Sequence, residues 1–290
     1  MKGFLIINGF LESEKFNDIY SRLREAAGVL GIELLLFRNS DFQNSTDSPL
    51  MLPFRPDFVL FWDKDVFLAQ AFERMEIPVF NSSRAIALCD DKAKMHYALS
   101  SLPSPKTVVA PMTFPNIGYT NTDFLKRTAE YLSFPIVVKE CFGSFGAQVY
   151  LANNMEELER ITKSHERVPL IFQKLVSESF GRDIRINVVG GRICAAMLRM
   201  NENGDFRSNI TLGGTMLPYS PTDAECALAL SSCEKLGLDF GGVDILFGND
   251  GPLLCEVNSN AHFKSTYDAT GINLADFIME HIAGKVRGRS

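Results

Sequence analysis

Asp244, Glu256 and Asn258 fall in two apolar stretches, residues 242–247 and 252–257 with the position just after, joined by the turn Gly248-Asn249-Asp250-Gly251. Alternation along a strand puts Glu256 and Asn258 on one face. Three oxygen donors converging from paired strands suit Mg2+, a hard cation that keeps several waters and is held by a few carboxylates together with substrate phosphates. The competing reading is a solvated strand face. Against it stand the neighbours Val243, Ile245, Leu246, Phe247, Leu253, Leu254 and Val257, which imply burial, where an unpaired carboxylate is costly.

Two further groups could meet an anion. Lys139 ends an Ile-Val-Val run just before a loop bearing Gly143, Ser144 and Gly146. A lysine there offers a point charge to a phosphate, and backbone N–H groups around glycines approach phosphoryl oxygens without Cβ interference. The GxxxxGK[ST] pattern is absent, so this is not a P-loop, and glycines so placed more often form an ordinary turn. Arg182, Arg185, Arg199 and Arg207 lie in one sheet-rich segment with Asn209, and guanidinium forks match phosphate and carboxylate oxygens. Surface solubility accounts for Arg182. His262 has no second His or Cys nearby and makes a poor metal ligand. Asp63, Lys64 and Asp65 follow the third strand at its carboxyl end, where open α/β sheets bind ligands; a helix cap explains them as well.

The elements that must position these residues follow from periodicity. Strands at 4–7, 32–37, 58–62 and 78–80 alternate with helices near 16–30 and 66–75, the pattern of a parallel sheet covered by helices. A loop spans 40–48, followed by Pro49, Pro53 and Pro56. A helix at 92–100 must end before Pro103 and Pro105. Then come a strand at 107–110, a helix at 121–132, a hairpin with a glycine-bearing tip from 136 to 150, a helix at 155–163 and a strand at 170–175. The third stretch carries strands at 183–189 and 192–199 around Gly190-Gly191, a strong hairpin signal, then a helix at 222–236 and the hairpin with Asp244 and Glu256.

The 290 residues carry 29 Lys plus Arg against 35 Asp plus Glu, so no chain-wide positive field draws nucleic acid or an anionic membrane. No apolar run reaches the roughly 18 residues needed to cross a bilayer, and Met1 to Asn8 reads as a strand, not a signal peptide. Six cysteines are scattered without a CxxC pair, so neither a zinc framework nor a disulfide scaffold is indicated. A cytoplasmic protein is expected.

Taken in order, Asn81-Ser82-Ser83-Arg84-Ala85-Ile86, Asp91-Lys92, Pro135-Ile136-Val137-Val138-Lys139, Gly143-Ser144-Phe145-Gly146, Gly181-Arg182-Asp183-Ile184-Arg185, Gly204-Asp205-Phe206-Arg207-Ser208-Asn209, Gly213-Gly214, Gly242-Val243-Asp244-Ile245-Leu246 and Glu256-Val257-Asn258 resemble the ATP-grasp carboxylate-amine ligases, in their RimK-like glutamate-ligase branch. The resemblance covers about residues 80–282. It implies an α/β ATP-grasp fold: an N-terminal parallel α/β domain (1–95), then central (96–174) and C-terminal (175–290) α+β lobes holding ATP between them.

The resemblance further implies that Lys92 and Lys139 contact ATP phosphates under a flap formed by Gly143, Ser144 and Gly146, and that Asp183 helps hold the nucleotide. Adenine would lie against backbone at Lys174 and Leu175. Arg207 and Asn209 would line the nucleotide and acyl-phosphate site. Asp244, Glu256 and Asn258 would hold one or two Mg2+, with Mn2+ as a substitute. Gly242 stands where D-alanine ligase-type members carry an arginine, so Arg185 or Arg207 would supply that charge. Lys174 replaces an acidic hinge residue frequent in the family, and the run from Ser259 to Lys264 is closer to the carrier-protein-modifying ligases of lysine biosynthesis.

The implied activity is ADP-forming amide synthesis through an acyl phosphate. It joins an amino acid such as glutamate to an amine or carboxylate on a small molecule, peptide or carrier protein, in a homo-oligomer. The alternative is a non-catalytic ATP-binding regulator that kept the fold.

Overall fold

The computed structural model describes residues 1–11, 14–143, 146–201, 203–208 and 214–288. Ser144 and Asn209, both named from the sequence, lie outside the described residues.

Three sheets follow one another along the chain. The first contains β1 (Lys2–Ile7), β2 (Glu33–Arg38), β3 (Phe58–Phe61) and β4 (Val79–Phe80), all parallel in the order β2-β1-β3-β4. Its strands are almost continuously apolar because helices cover both faces. Leu5, Leu34, Phe58 and Leu60 face α1 (Glu14–Val29), while Phe4, Ile6, Val59 and Phe61 face α2 (Val66–Arg74). Asp65 caps α2 by accepting from the Leu68 N–H at 3.0 Å.

The helical pattern near 92 has a partner that periodicity did not flag. Two short helices, α3 (Ser83–Asp90) and α4 (Lys92–Ala98), meet at Asp91, whose carboxylate accepts from the Ala93 and Lys94 N–H groups and so starts α4. This cap fixes the buried Lys92 at the first position of α4.

The second sheet is antiparallel, in the order β5 (Thr107–Val109), β8 (Leu170–Lys174), β6 (Ile136–Glu140), β7 (Val149–Ala152). Ile136, Val138 and Phe172 pack on α5 (Asp123–Leu132) and α6 (Met155–Ser164). Alternation turns Val137, Lys139 and Gln173 to the opposite, open face.

The third sheet, also antiparallel, runs β11 (Thr215–Pro218), β10 (Arg192–Met200), β9 (Arg182–Val189), β12 (Phe240–Gly248), β13 (Gly251–Asn258). One face, with Ile184, Ile186, Val243, Ile245, Leu254 and Val257, packs on α7 (Asp223–Leu236). A capping box between Thr222 and Glu225 starts α7, and Gly237 in the left-handed conformation ends it. The other face looks toward the open face of the second sheet.

The chain closes with α8 (Lys264–Thr270) and α9 (Leu274–Arg287), two helices beyond those read from periodicity. Leu274, Ile278, Met279 and Ile282 of α9 share one core with Ile19 and Leu23 of α1, which ties the chain's last helix to its first domain. Asn81 makes a second tie: its buried side chain donates to the Phe240 and Ser259 carbonyls (2.8 and 2.7 Å) and accepts from the Asp239 and Phe240 N–H groups (2.7 and 3.3 Å).

Candidate active site

A cavity of 820 Å³ lies between the open faces of the second and third sheets and reaches the carboxyl ends of β1 and β3. Every described residue named from the sequence as catalytic, nucleotide-binding or metal-binding lines it.

Register explains how the third sheet contributes. Asp244 pairs with Glu256 across β12 and β13, Gly242 with Asn258, and Arg185 of β9 with Asp244. Directly opposed residues share a face, so Asp244, Glu256, Asn258 and Arg185 project together. This arrangement depends on a bulge. Ile245 pairs with Leu254 and Asp244 with Glu256, leaving Cys255 as the extra residue. Strict alternation from the fully buried Leu254 would send Glu256 into the core; the extra residue turns it to the cavity. The solvated-face reading is thereby excluded for Asp244, which is only 5% exposed.

Its burial is compensated by arginines. The Arg185 fork donates to both Asp244 oxygens at 2.7 Å, and Arg199 donates to both Asp183 oxygens at 2.7 and 2.6 Å. The Arg199 Nη2 also lies 3.0 Å from Asp244 Oδ2, so two cations and two anions form one buried chain of alternating sign. Burial pushes the Asp244 carboxyl up, and the neighbouring Arg185 and Arg199 charges more than reverse this, leaving it below its usual range. Arg199 was visible in the sequence only as one of four arginines. Its role in neutralising two carboxylates comes from the β9–β10 register that opposes Arg199 and Asp183. Gly242 leaves room beside this chain: a Cβ there would come 3.6 Å from the Arg185 Cδ and 2.6 Å from the Ala261 Cβ.

The second sheet and α4 supply ammonium groups. Lys92 Nζ sits 3.5 Å from Glu256 Oε1 and donates to the Gly143 carbonyl at 3.3 Å. Lys139 is 8% exposed, and its Nζ lies 3.7 Å from Cys255 Sγ. Among the described residues no carboxylate pairs with Lys139. Behind it, the Gln173 amide bridges His96 Nε2 and Thr107 Oγ1, both at 2.9 Å. Burial, reinforced by the Lys139 and Lys92 charges, pushes the His96 pKa down to about 3, so the ring is neutral and its Nε2 accepts.

Arg207 spans the two lobes at the glycine loop. Its Nε and Nη2 lie on Asp205, while Nη1 donates to the Gly146 carbonyl at 3.0 Å and the Val149 carbonyl at 3.4 Å. Lys174, at the end of β8, donates its backbone N–H to the Lys106 carbonyl at 3.0 Å, which removes that donor from any nucleobase contact.

Asp244, Glu256 and Asn258 form an all-oxygen set. Among the described residues no group of three or more His, Cys, Asp or Glu side chains could hold a metal by itself. Two carboxylates and an amide fit Mg2+, which completes its octahedron with water and phosphate oxygens instead of a full protein cage. Since Asp244 already carries two arginine contacts, a cation would share it.

Comparison with known proteins identifies the family. The RimK-like ATP-grasp domain matches residues 89–282, more than half of the chain. A protein named "Probable alpha-L-glutamate ligase" from Syntrophotalea carbinolica is 36% identical over 219 residues, covering 74% of this chain and 70% of that protein. Human beta-citrylglutamate synthase B is 34% identical over 224 residues, 76% of this chain; the chain spans only 57% of that relative's length. Among solved structures, a RimK domain ATP-grasp protein from Sphaerobacter thermophilus superposes with a TM-score of 0.74 over 97% of this chain and 99% of that one, at 18% identity. Three sheets, two of them facing across a lysine- and carboxylate-lined cavity, thus carry a matching sequence signature: the chain belongs to the RimK-like ATP-grasp family of ATP-dependent carboxylate-amine ligases.

Proposed function

We propose that the chain is an Mg-ATP-dependent ligase that forms an amide through an acyl phosphate, joining an amino acid such as glutamate to a small-molecule, peptide or carrier-protein partner. The observation that carries this reading is Lys139: a nearly buried ammonium without a carboxylate partner among the described residues, across the cavity from Asp244 and Glu256. A buried cation in that setting calls for an anion, and a triphosphate supplies one.

In this reading Lys92 and Lys139 hold phosphate oxygens, the loop carrying Gly143, Ser144 and Gly146 covers them, and Leu175 with Lys174 bounds the adenine. Asp244, Glu256 and Asn258 would hold one or two Mg2+, or Mn2+ in its place, which supplies charge neutralisation at the phosphoryl group. Asp183 acts through Arg199. Phosphoryl transfer needs positioning and cations more than a protein nucleophile. A substrate carboxylate oxygen attacks the terminal phosphorus as ADP leaves; the amine then attacks the acyl carbon, phosphate departs, and the amine's proton is lost. Arg185, with Arg207 and Asn209, would stabilise charge on the acyl phosphate. Closure of the glycine loop would exclude water, which otherwise hydrolyses that intermediate.

The names of a human relative, beta-citrylglutamate synthase B, and a bacterial one, probable alpha-L-glutamate ligase, support glutamate as one substrate. No helix among the described residues is long and apolar enough to cross a membrane, which suits a cytoplasmic enzyme. A homo-oligomer is retained as part of the proposal. The test is ADP release from Mg-ATP against pools of amino acids, dipeptides and dicarboxylates, with mass spectrometry of the product. Release that requires one carboxylate together with one amine is expected. ATP binding with no release from any pool or carrier protein would overturn catalysis in favour of a non-catalytic ATP-binding regulator.

A further inference from the structure

The run Trp62-Asp63-Lys64-Asp65 leaves the carboxyl end of β3, and Trp62, Asp63 and Lys64 line the cavity. The structure divides the labour within it. Asp65 caps α2 and Lys64 pairs with Asp90, which accounts for both by local structure. Asp63 is different. It is 5% exposed and lines the cavity; its Oδ1 accepts from the Asn8 amide at 3.1 Å and from the Lys64 N–H at 2.7 Å. Its Oδ2 is buried with no hydrogen-bond partner among the described residues. Asn8 is itself fixed, its Oδ1 accepting from the Phe10 N–H at 2.9 Å, so the carboxylate is oriented through Oδ1 and unpartnered at Oδ2.

Such a group is costly. Burial raises the Asp63 carboxyl against the pull of its two donors, and nothing in the fold requires the charge. The adjacent Trp62 indole Nε1–H is also buried without a partner, while its ring is fixed by stacking on Phe240 at 5.5 Å. Two consecutive residues lining the cavity that carries Lys139 and Asp244 thus hold one buried acceptor and one buried donor without a partner among the described residues.

We propose that Asp63 is the ammonium-binding residue of a subsite for a free α-amino acid, an inference that rests on the ligase reading and names one of its two substrates. The ammonium group supplies the partner that the buried Oδ2 lacks, and the Trp62 N–H suits the carboxylate of the same zwitterion. Asp63 is a specificity residue here: an amino acid whose nitrogen is acylated loses the charge and leaves the carboxylate unpaired.

The test titrates the standard L-amino acids, each free and N-acetylated, into the full chain with and without Mg-AMPPNP, for wild type and Asp63→Asn. At least one free amino acid should bind wild type. Its N-acetyl form and the Asp63→Asn protein should each weaken that binding by about tenfold or more, the scale of one lost charged hydrogen bond. Mg-AMPPNP affinity should be the same in both proteins, which shows that the variant is folded. Equal binding after N-acetylation or by Asp63→Asn overturns the proposal, as does a nucleotide-loaded chain that binds no amino acid. Failure of wild type to bind Mg-AMPPNP would instead overturn the ligase reading, and the amino-acid titration is then read on the nucleotide-free chain.

Discussion

Replacing Arg199 by methionine keeps an unbranched side chain of similar reach and removes the charge that joins Asp183 to Asp244. Arg199 is 5% exposed and makes two bonds to Asp183 at 2.7 and 2.6 Å and a third contact to Asp244 at 3.0 Å. Charge-assisted hydrogen bonds contribute about 1.5–3 kcal/mol each, but the substitution also relieves the desolvation of the guanidinium itself. What remains is the cost of breaking a buried pair from one side, about 3–5 kcal/mol. The deficit should depend on pH. Asp244 titrates lower in the folded chain than in the unfolded one, so the stability it confers is complete above about pH 4 and drains as pH falls through the folded pKa. With Arg199 gone, one of the two charges holding that pKa down is lost, Asp244 takes a proton at higher pH, and the variant's deficit against wild type shrinks on acidification. Urea unfolding of both proteins at pH 7 and pH 5 measures this. A loss at pH 7 below about 1 kcal/mol, the value of an exposed ion pair, would refute the buried-network reasoning. A deficit that grows toward pH 5 would refute the electrostatic cause.

Glu256→Gln keeps the shape of the proposed metal set and removes one charge, so Mg2+-dependent ADP release should fall by about a hundredfold or more while the melting temperature holds; unchanged turnover across a Mg2+ titration contradicts the proposal. His96 stays neutral in the folded chain at a pKa of about 3, whereas the unfolded chain protonates it near pH 6.5. Stability should therefore decline as pH falls below about 6.5, by up to about 1.4 kcal/mol per pH unit from this group. His96→Gln should flatten the curve between pH 6 and 4, as read from urea midpoints, and an unaltered slope would show that His96 is not the titrating group. Asn81→Ala strips four hydrogen bonds from the junction of β4 with β12 and should cost about 2–4 kcal/mol in chemical unfolding; a loss within error would mean that water replaces the amide.

Much of this molecule is written in local pattern. The apolar runs of β1 and β3, the Gly190-Gly191 turn and the order of lysines, glycines, arginines and carboxylates all act over a few residues. Steric and hydrogen-bonding preferences of that range are legible without a fold, and the family signature made their joint meaning specific. Helices α8 and α9 and the short β11 were not legible, because their formation depends on distant cores, as α9 does on α1. The same limit governs the site. Sequence spacing named Asp244 and Glu256, but only the unpaired Cys255 in the β12–β13 ladder turns them to one face. Four arginines in a stretch suggested an anion site; the β9–β10 and β9–β12 registers commit Arg199 and Arg185 to Asp183 and Asp244. Asp63 read equally as ligand group or cap until the fold gave the cap to Asp65 and left one buried oxygen empty. Residue type sets which interactions a side chain can make. Which of them it makes is settled by register and burial, since these decide who stands opposite and whether water can take the partner's place.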